Sequence, residues 1–356
     1  MRGPEPSARP RPDRALLVLA VALGAAAVVA LGTGAVALSP GEVLAALARR
    51  LDVALPWDAH PRAETIVWSL RLPRVALAIL VGAGLAGAGA ALQGLVRNAL
   101  ADPGLVGVSS GAALAAVAFI VAGGVATSAV PAALAPWTLP AVAFAGALAA
   151  TTLAVLLARQ GGQTSSASLI LAGVGVTSLC GAGTGLFLFV ADDAQLRSVT
   201  FWTLGSLGGA TWALVAAVAV PVGLALAVSL RHAHDLDRLL LGEVEARHLG
   251  VDVERVTRRL VIAVALAIGA SVAACGVIGF VGLVVPHLVR GWLGPSHRGL
   301  IAASALGGAL LVVVADLVAR TVVTPAELPI GIVTALAGAP VLLVMVVRGG
   351  AMRGLP

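Results

Sequence analysis

Residues 231–259 read R-H-A-H-D-L-D-R-L-L-L-G-E-V-E-A-R-H-L-G-V-D-V-E-R-V-T-R-R. This stretch, which we call the charged island, holds six arginines and six acidic residues, out of forty charged residues in the chain. Long apolar runs lie on both sides of it. Because bilayer hydrocarbon rejects such a density of charge, we predict that the island lies in water at one membrane face. It is too short to build its own core, and we hypothesise that it docks onto another protein.

The composition of the whole chain predicts a polytopic membrane protein. Of its 356 residues, 59% are hydrophobic and 11% are charged, whereas soluble domains carry about 25% charged residues. The 43 glycines suit close approach between transmembrane helices. We therefore expect an all-α fold with about ten transmembrane helices in a single membrane domain.

The residue types exclude several classes of function. The net charge of +6 does not indicate nucleic-acid binding, because the basic residues are scattered at the ends of apolar runs and form no basic face. All 23 basic residues are arginine, so the chain lacks the lysine of a G-x-x-x-x-G-K-[ST] phosphate loop and cannot contain a standard ATP site. Cys180 and Cys275 lie in apolar runs and show no disulfide or zinc spacing, which favours small core residues.

The apolar runs predict ten spans, at about 15–38, 73–95, 104–125, 137–158, a fifth ending near 190, 211–230, 259–278, 280–291, 299–319 and 329–347. Small residues at Gly82, Ala86 and Ala90 of the second span suit a close helix contact. The eighth span is too short to cross a bilayer, which needs roughly 20 residues. It must be tilted, continued by its flanks or buried in protein. We expect a loop at 192–197, followed by glycines in 201–209 that break a helix.

Ten spans place both termini on the same side of the membrane as the island. That side carries sixteen of the 23 arginines, so the positive-inside rule assigns it to the cytoplasm. The predicted organisation is a disordered cytoplasmic tail at 1–14, a single transmembrane domain at 15–347 with the polar loop 231–258, and a cytoplasmic tail at 348–356. The first span is read as retained, because its apolar run is longer than that of a signal peptide.

Within the island, Gly242–Gly250 predicts a short capped helix. Two glutamates lie in its first turn and an Arg-His pair in its last turn, as the helix dipole favours. Gly250 can supply the left-handed residue after the helix, and Asp252 can cap the next one. The apolar residues of the Gly242–Gly250 segment do not form a wide apolar face. The segment is therefore either a solvated loop or a rigid helix offered to a cytoplasmic partner.

Seven motifs extend across most of the chain, and together they resemble the FecCD-type permeases, the transmembrane subunits of ATP-driven importers for iron–siderophores, haem and cobalamin. One departure is Ala99, where the family usually has proline. The motifs are R-L-P-R at 71–74, Q-G-L-V-R-N-A-L-A-D-P-G-L-V-G-V-S-S-G-A at 93–112, L-A-G-V at 171–174, G-E-V-E-A-R-H-L-G at 242–250, G-V-I-G-F-V-G-L-V-V-P-H-L-V-R at 276–290, A-D-L-V-A-R at 315–320 and E-L-P-I-G at 327–331.

The resemblance implies the fold of the cobalamin importer permease, as a homodimer with the translocation path between its subunits, in a bacterial cytoplasmic membrane. It implies two partner ATPase subunits that bind ATP and magnesium, so this chain itself would hold no cofactor and would not be an enzyme. An extracytoplasmic binding protein would deliver the cargo. We expect an iron–siderophore as that cargo, with haem and cobalamin as alternatives.

The resemblance also implies roles for individual residues. The segment that receives the ATPase corresponds to Gly242, Glu243, Ala246, Leu249 and Gly250. Arginines that pair with acidic residues of the binding protein correspond to Arg71, Arg74 and Arg320. The cytoplasmic gate corresponds to the turn containing Ser165 and Ser166.

Three polar features have structural and functional interpretations. Asp316 is an ionisable group inside a span, and its i,i+4 spacing to Arg320 favours a structural ion pair over a transport role. His287, after Pro286, is expected to be a hydrogen-bonded structural residue rather than a metal ligand. His232 and His234 lack a nearby cysteine to complete a metal site.

Two other functions stay open at this point. An ion-coupled secondary transporter would work through Asp316 and the outer acidic residues. An intramembrane enzyme would show activity by itself, although we find no nucleophile–base constellation in the sequence.

Overall fold

The computed structural model describes residues 12–34, 36–50, 53, 62–126, 131–160, 163–164 and 166–353. Its α-helices are α1 Pro12–Gly32, α2 Pro40–Arg49, α3 Ala63–Thr65, α4 Leu72–Leu95, α5 Val108–Ala126, α6 Ala135–Ala158, α7 Ser166–Val190, α8 Asp193–Leu204, α9 Trp212–Arg231, α10 Ala233–Leu239, α11 Glu243–His248, α12 Val253–Cys275, α13 Val281–Leu293, α14 His297–Ala319 and α15 Ile330–Arg353. A π-helical turn, Ile66–Arg71, joins α3 to α4, and Pro103–Val106 forms a 3₁₀ turn. Two-residue strands, β1 Arg159–Gln160 and β2 Gln163–Thr164, pair antiparallel.

Ten apolar helices correspond to the ten predicted spans. In the described part of the chain, seven helices are long and apolar enough to cross a membrane. Three shorter apolar segments, within α5, α13 and α15, complete the set. The predicted all-α membrane fold of about ten helices is therefore confirmed.

Several boundaries differ from those predicted. Helix α1 begins at Pro12, inside the predicted tail, and ends at Gly32 instead of near Leu38. Helix α15 likewise continues to Arg353, past the predicted end of the membrane domain. Residues 1–11 and 354–356 of the predicted tails lie outside the described residues.

The predicted loop at 192–197 is wrong, because this segment opens helix α8. Asp192 and Gln195 form a reciprocal capping box, with backbone-to-side-chain hydrogen bonds of 2.8 and 3.0 Å. Such a box satisfies two backbone N–H groups that would otherwise lack partners at a helix start. The predicted glycine break is confirmed at Gly205, whose φ of +76° ends the helix.

The close contact predicted for the small-residue stripe is confirmed between α4 and α14. A Cβ atom built at Gly82 would lie 2.2 Å from the carbonyl oxygen of Gly308, so the two backbones touch. A Cβ atom at Gly308 would in turn lie 2.4 Å from the Cβ of Ala86. Small residues allow this approach, and it joins α4 and α14 into a tightly packed pair.

Of the three arrangements predicted for the short eighth span, the structure shows burial in protein. Helix α13 has 13 residues, and every residue from Val281 to Pro286 is buried. A helix of this length is tolerated at membrane depth where protein, rather than lipid, surrounds it, as here along its first half.

Polar side chains from distant parts of the sequence meet at two opposite ends of the helix bundle. Arg71, Arg74 and Arg320 meet at one end, which we call the arginine end. The charged island lies at the other, which we call the island end. Helix α14 connects them, since the 19 helical steps from His297 to Asp316 rise by about 28 Å, close to the thickness of a bilayer core.

Candidate functional site

At the arginine end, two guanidinium groups cap the last turn of α1. Arg71 Nη1 donates to the carbonyl oxygens of Leu31 (2.7 Å) and Gly32 (3.0 Å), and Nη2 donates to that of Val36. Arg320 donates to the carbonyl oxygens of Ala30 and, at 3.0 Å, Thr33. The last carbonyls of a helix have no partner within the helix and attract cations. The arginines supply those partners, which accounts for α1 ending at Gly32 although the apolar sequence continues.

A buried carboxylate lies beside this cap. Asp316 is only 2% exposed, and Arg74 approaches it with Nη2 at 2.9 Å and Nε at 3.0 Å. Arg74 also binds Glu327 through two parallel hydrogen bonds of 2.9 Å, which hold the pKa of the Glu327 carboxyl below its usual range. The ion pair predicted between Asp316 and Arg320 is confirmed at 3.7 Å. The pairing with Arg74, 242 positions away, was not predicted.

The three arginines predicted to dock a binding protein are all engaged in contacts within the chain. Arg71, Arg74 and Arg320 line an open pocket of about 400 Å³ together with Glu327, but their side chains are largely buried. Each guanidinium has partners inside the chain, and none is a free surface cation. Their role in docking a binding protein stays a prediction, alongside the structural role that the contacts give them.

At the island end, the predicted capped helix is α11. Gly250 has a φ of +83°, its N–H donates to the Arg247 carbonyl at 2.9 Å, and the Val251 N–H donates to that of Ala246 at 3.0 Å. This pair of bonds is the Schellman arrangement, in which glycine takes the left-handed position. The predicted cap of α12 is also confirmed, because Asp252 accepts from the Arg255 N–H at 3.0 Å.

The side chains of α11 divide into buried and exposed groups. Ala246 is 0% exposed, so its side chain packs against its own chain, and its predicted role in coupling stays a prediction. Val244 and Leu249 are 59% and 52% exposed. Leu249 is among the residues that the resemblance assigns to ATPase coupling, whereas Val244 is not, although its apolar side chain within a charged helix is visible in the sequence.

The island is also tied to the turn after α4. Arg97 Nη2 lies 3.4 Å from Glu243 Oε1, at the first position of α11. Arg97 has a φ of +53°, a left-handed conformation that is uncommon for residues other than glycine. This turn is part of the R-N-A-L motif, so the structure brings two separate sequence motifs together at the island end.

The remaining predicted residues do not form a site in the described part of the chain. Ser165 lies outside the described residues, and Ser166 begins α7 with its side chain also outside them. His287 Nδ1 is buried and has no hydrogen-bond partner among the described residues, so the expected hydrogen bond is not found at that atom. His232 binds Asp235 at 2.8 Å. Over the described ranges, no group of three or more His, Cys, Asp or Glu could hold a metal ion.

Sequence comparison finds relatives of this chain over most of its length. Residues 19–348 match the FecCD transport family. The chain is 45% identical over 283 residues to the hemin transport system permease protein HmuU of Yersinia pestis, covering 79% of this chain and 83% of that one. It is 46% identical over 287 residues to the vitamin B12 import system permease protein BtuC of Vibrio cholerae, covering 80% and 83%.

A solved structure shows the same fold over nearly the full length. It is an inward-facing metal-chelate type ABC transporter, with a TM-score of 0.81, 30% identity, and coverage of 94% of this chain and 99% of that one. The family match and the identities over most of the chain lead to one conclusion: this chain belongs to the FecCD transport family.

Proposed function

We propose that the chain is the membrane permease subunit of an ATP-binding cassette importer that moves a metal chelate across the cytoplasmic membrane. Hydrolysis of ATP in a separate subunit drives the movement. The observation that carries the proposal is the surface of α11, where a rigidly capped helix exposes Val244 and Leu249 at the membrane face. This chain's own packing leaves those apolar side chains uncovered, as a docking helix requires.

The proposal assigns a partner to each end of the bundle. The island end faces the cytoplasm with both termini and receives two ATPase subunits on α11. The arginine end faces outward and receives the binding protein. Two copies of the chain form a homodimer with the translocation path between them, in a bacterial cytoplasmic membrane. The positive-inside count of arginines supports this orientation.

The cargo we propose is a metal chelate, and the iron–siderophore expected from the sequence is one of three candidates. The named relatives carry hemin and vitamin B12, and the solved structure is of a metal-chelate type. All three are large metal complexes. The binding protein would select the cargo as much as this chain does, so a direct transport assay is needed to identify the cargo.

The experiment is uptake into proteoliposomes that contain the permease, its ATPase subunits and its binding protein. Hemin, cyanocobalamin and a ferric hydroxamate siderophore are supplied in separate assays. We expect one of them to accumulate only when ATP is present on the ATPase side, and not when a proton or sodium gradient replaces ATP.

The opposite energy dependence would contradict the proposal. Accumulation driven by an ion gradient without ATP would indicate the secondary transporter considered above. That mechanism needs a carboxylate that can exchange ions, whereas Asp316 is held by Arg74 and Arg320. The structure therefore favours the ATP-driven mechanism.

A further inference from the structure

One carboxylate of the charged island binds a membrane helix outside the island. Asp237 lies on α10, shortly before α11. Its Oδ1 accepts hydrogen bonds from the backbone N–H of His297 at 2.8 Å and pairs with His297 Nδ1 at 2.7 Å. Its other oxygen lies 3.5 Å from Ser296 Oγ. Asp237 therefore caps the start of α14 from a different helix, which joins the two helices through charged hydrogen bonds.

The ring of His297 extends this contact to α4. The residue is 1% exposed, and a Cβ atom built at Gly94 would lie 2.3 Å from its Nε2. A side chain at position 94 would therefore displace the ring. His297 thus fills the space where α10, α14 and α4 meet, and glycine at position 94 makes room for it.

Most other ion pairs of the island are local. Among the described residues, Asp235 pairs with His232 and Arg238, and Asp252 with Arg255, each at i,i+3. Those pairs stabilise the short helices themselves. The Asp237–His297 pair instead leaves the island, as the half-exposed Arg97–Glu243 pair does, and its histidine is buried.

The helices that Asp237 reaches run from one end of the bundle to the other. Helices α4 and α14 touch backbone to backbone at Gly82 and Gly308. At the arginine end the same two helices are joined by Arg74 and Asp316 at 2.9 Å. A displacement of their island ends would therefore reach the arginine end, because closely packed helices move as a unit.

We infer that the Asp237–His297 pair, on α10 next to the docking helix α11, is a positioning link through which motion of α11 reaches the α4–α14 pair and, through it, the arginine end. The inference rests on the proposed function, because a docked ATPase supplies the motion. Asp237 acts through His297, so it is a positioning residue. Loss of the pair should uncouple ATP hydrolysis from transport rather than stop hydrolysis.

The test measures cargo imported per ATP hydrolysed by the complete complex in proteoliposomes, with whichever of hemin, cyanocobalamin or the ferric hydroxamate the wild type transports. Asp237→Ala is expected to lower this ratio about tenfold while the ATPase rate stays within about twofold of wild type. Gly94→Ala, which displaces the ring without touching Asp237, should lower the ratio in the same direction. Asp237→Asn keeps an acceptor oxygen and should restore most of it.

The matched control is Asp235→Ala, which removes a carboxylate from the same helix but breaks only contacts within the island. It should keep the wild-type ratio. An Asp237→Ala complex with the wild-type ratio, or one that loses hydrolysis and uptake in equal proportion, would overturn the link. A wild-type complex with no ATP-driven uptake of any probe would overturn the proposed function, and this inference with it.

Discussion

Replacing Arg74 with methionine is expected to lower the free energy of unfolding of the purified permease by about 3–5 kcal/mol. The substitution keeps most of the side-chain volume but removes the closest cation from Asp316, which is 2% exposed. The remaining cation, Arg320, is 3.7 Å away and is already engaged with backbone carbonyls. The measurement is denaturant or thermal unfolding in detergent, compared with wild type under the same conditions.

A double variant separates loss of the ion pair from loss of packing. Arg74→Met combined with Asp316→Asn removes the buried carboxylate together with its closest cation. We expect it to recover most of the lost stability, because Arg320 keeps its hydrogen bonds to the backbone carbonyls of Ala30 and Thr33. Arg197→Met is the matched control, since Arg197 is an exposed arginine on the same predicted side. If Arg74→Met is as stable as Arg197→Met, Arg74 serves docking alone and the structural role assigned to it is wrong.

Replacing Gly250 with proline is expected to reduce ATP-driven uptake at least about tenfold. The φ of Gly250 is +83°, whereas a proline ring holds φ near −65° and removes the N–H that binds the Arg247 carbonyl. The substitution therefore breaks the cap that fixes α11 at the membrane face. Uptake and retention of the ATPase subunit are measured on the same proteoliposome preparation.

Asparagine at the same position is the control for Gly250→Pro. Asparagine tolerates the left-handed conformation, and a Cβ atom at this position meets nothing within 4 Å. Gly250→Asn should therefore keep about half or more of the wild-type uptake. Equal uptake by the proline and asparagine variants would show that the geometry of α11 does not control coupling.

Much of the fold could be predicted from the sequence, because membrane spans follow from apolar run length. The capped helix in Gly242–Gly250 was also predictable, since glycine and acidic residues at helix ends act locally. The loop predicted at 192–197 is a helix start, because Asp192 and Gln195 form reciprocal hydrogen bonds that acidic residues in a polar segment do not by themselves indicate.

The site itself depends on contacts that no local pattern contains. Arg71, Arg74 and Arg320 have the sequence context of arginines at a membrane surface, and their caps on α1 and Asp316 appear only when helices far apart in sequence are packed. The contact between Asp237 and His297 likewise has no local signal, since 60 positions separate them. The spacing of the apolar residues indicates that Val244 and Leu249 lie on other sides of α11 than Ala246. Which of these side chains face outward is decided by burial in the folded chain.

The proposed binding of a separate ATPase to α11 is tested most directly by retention of the ATPase subunit on immobilised permease. We expect wild type to retain it and Val244→Glu to lose it, because a charge would then face an apolar docking surface. Val322→Glu is the matched control, since Val322 is 65% exposed against 59% for Val244 and lies at the arginine end. That control should retain the ATPase as wild type does. Equal retention by Val244→Glu and Val322→Glu would contradict the claim.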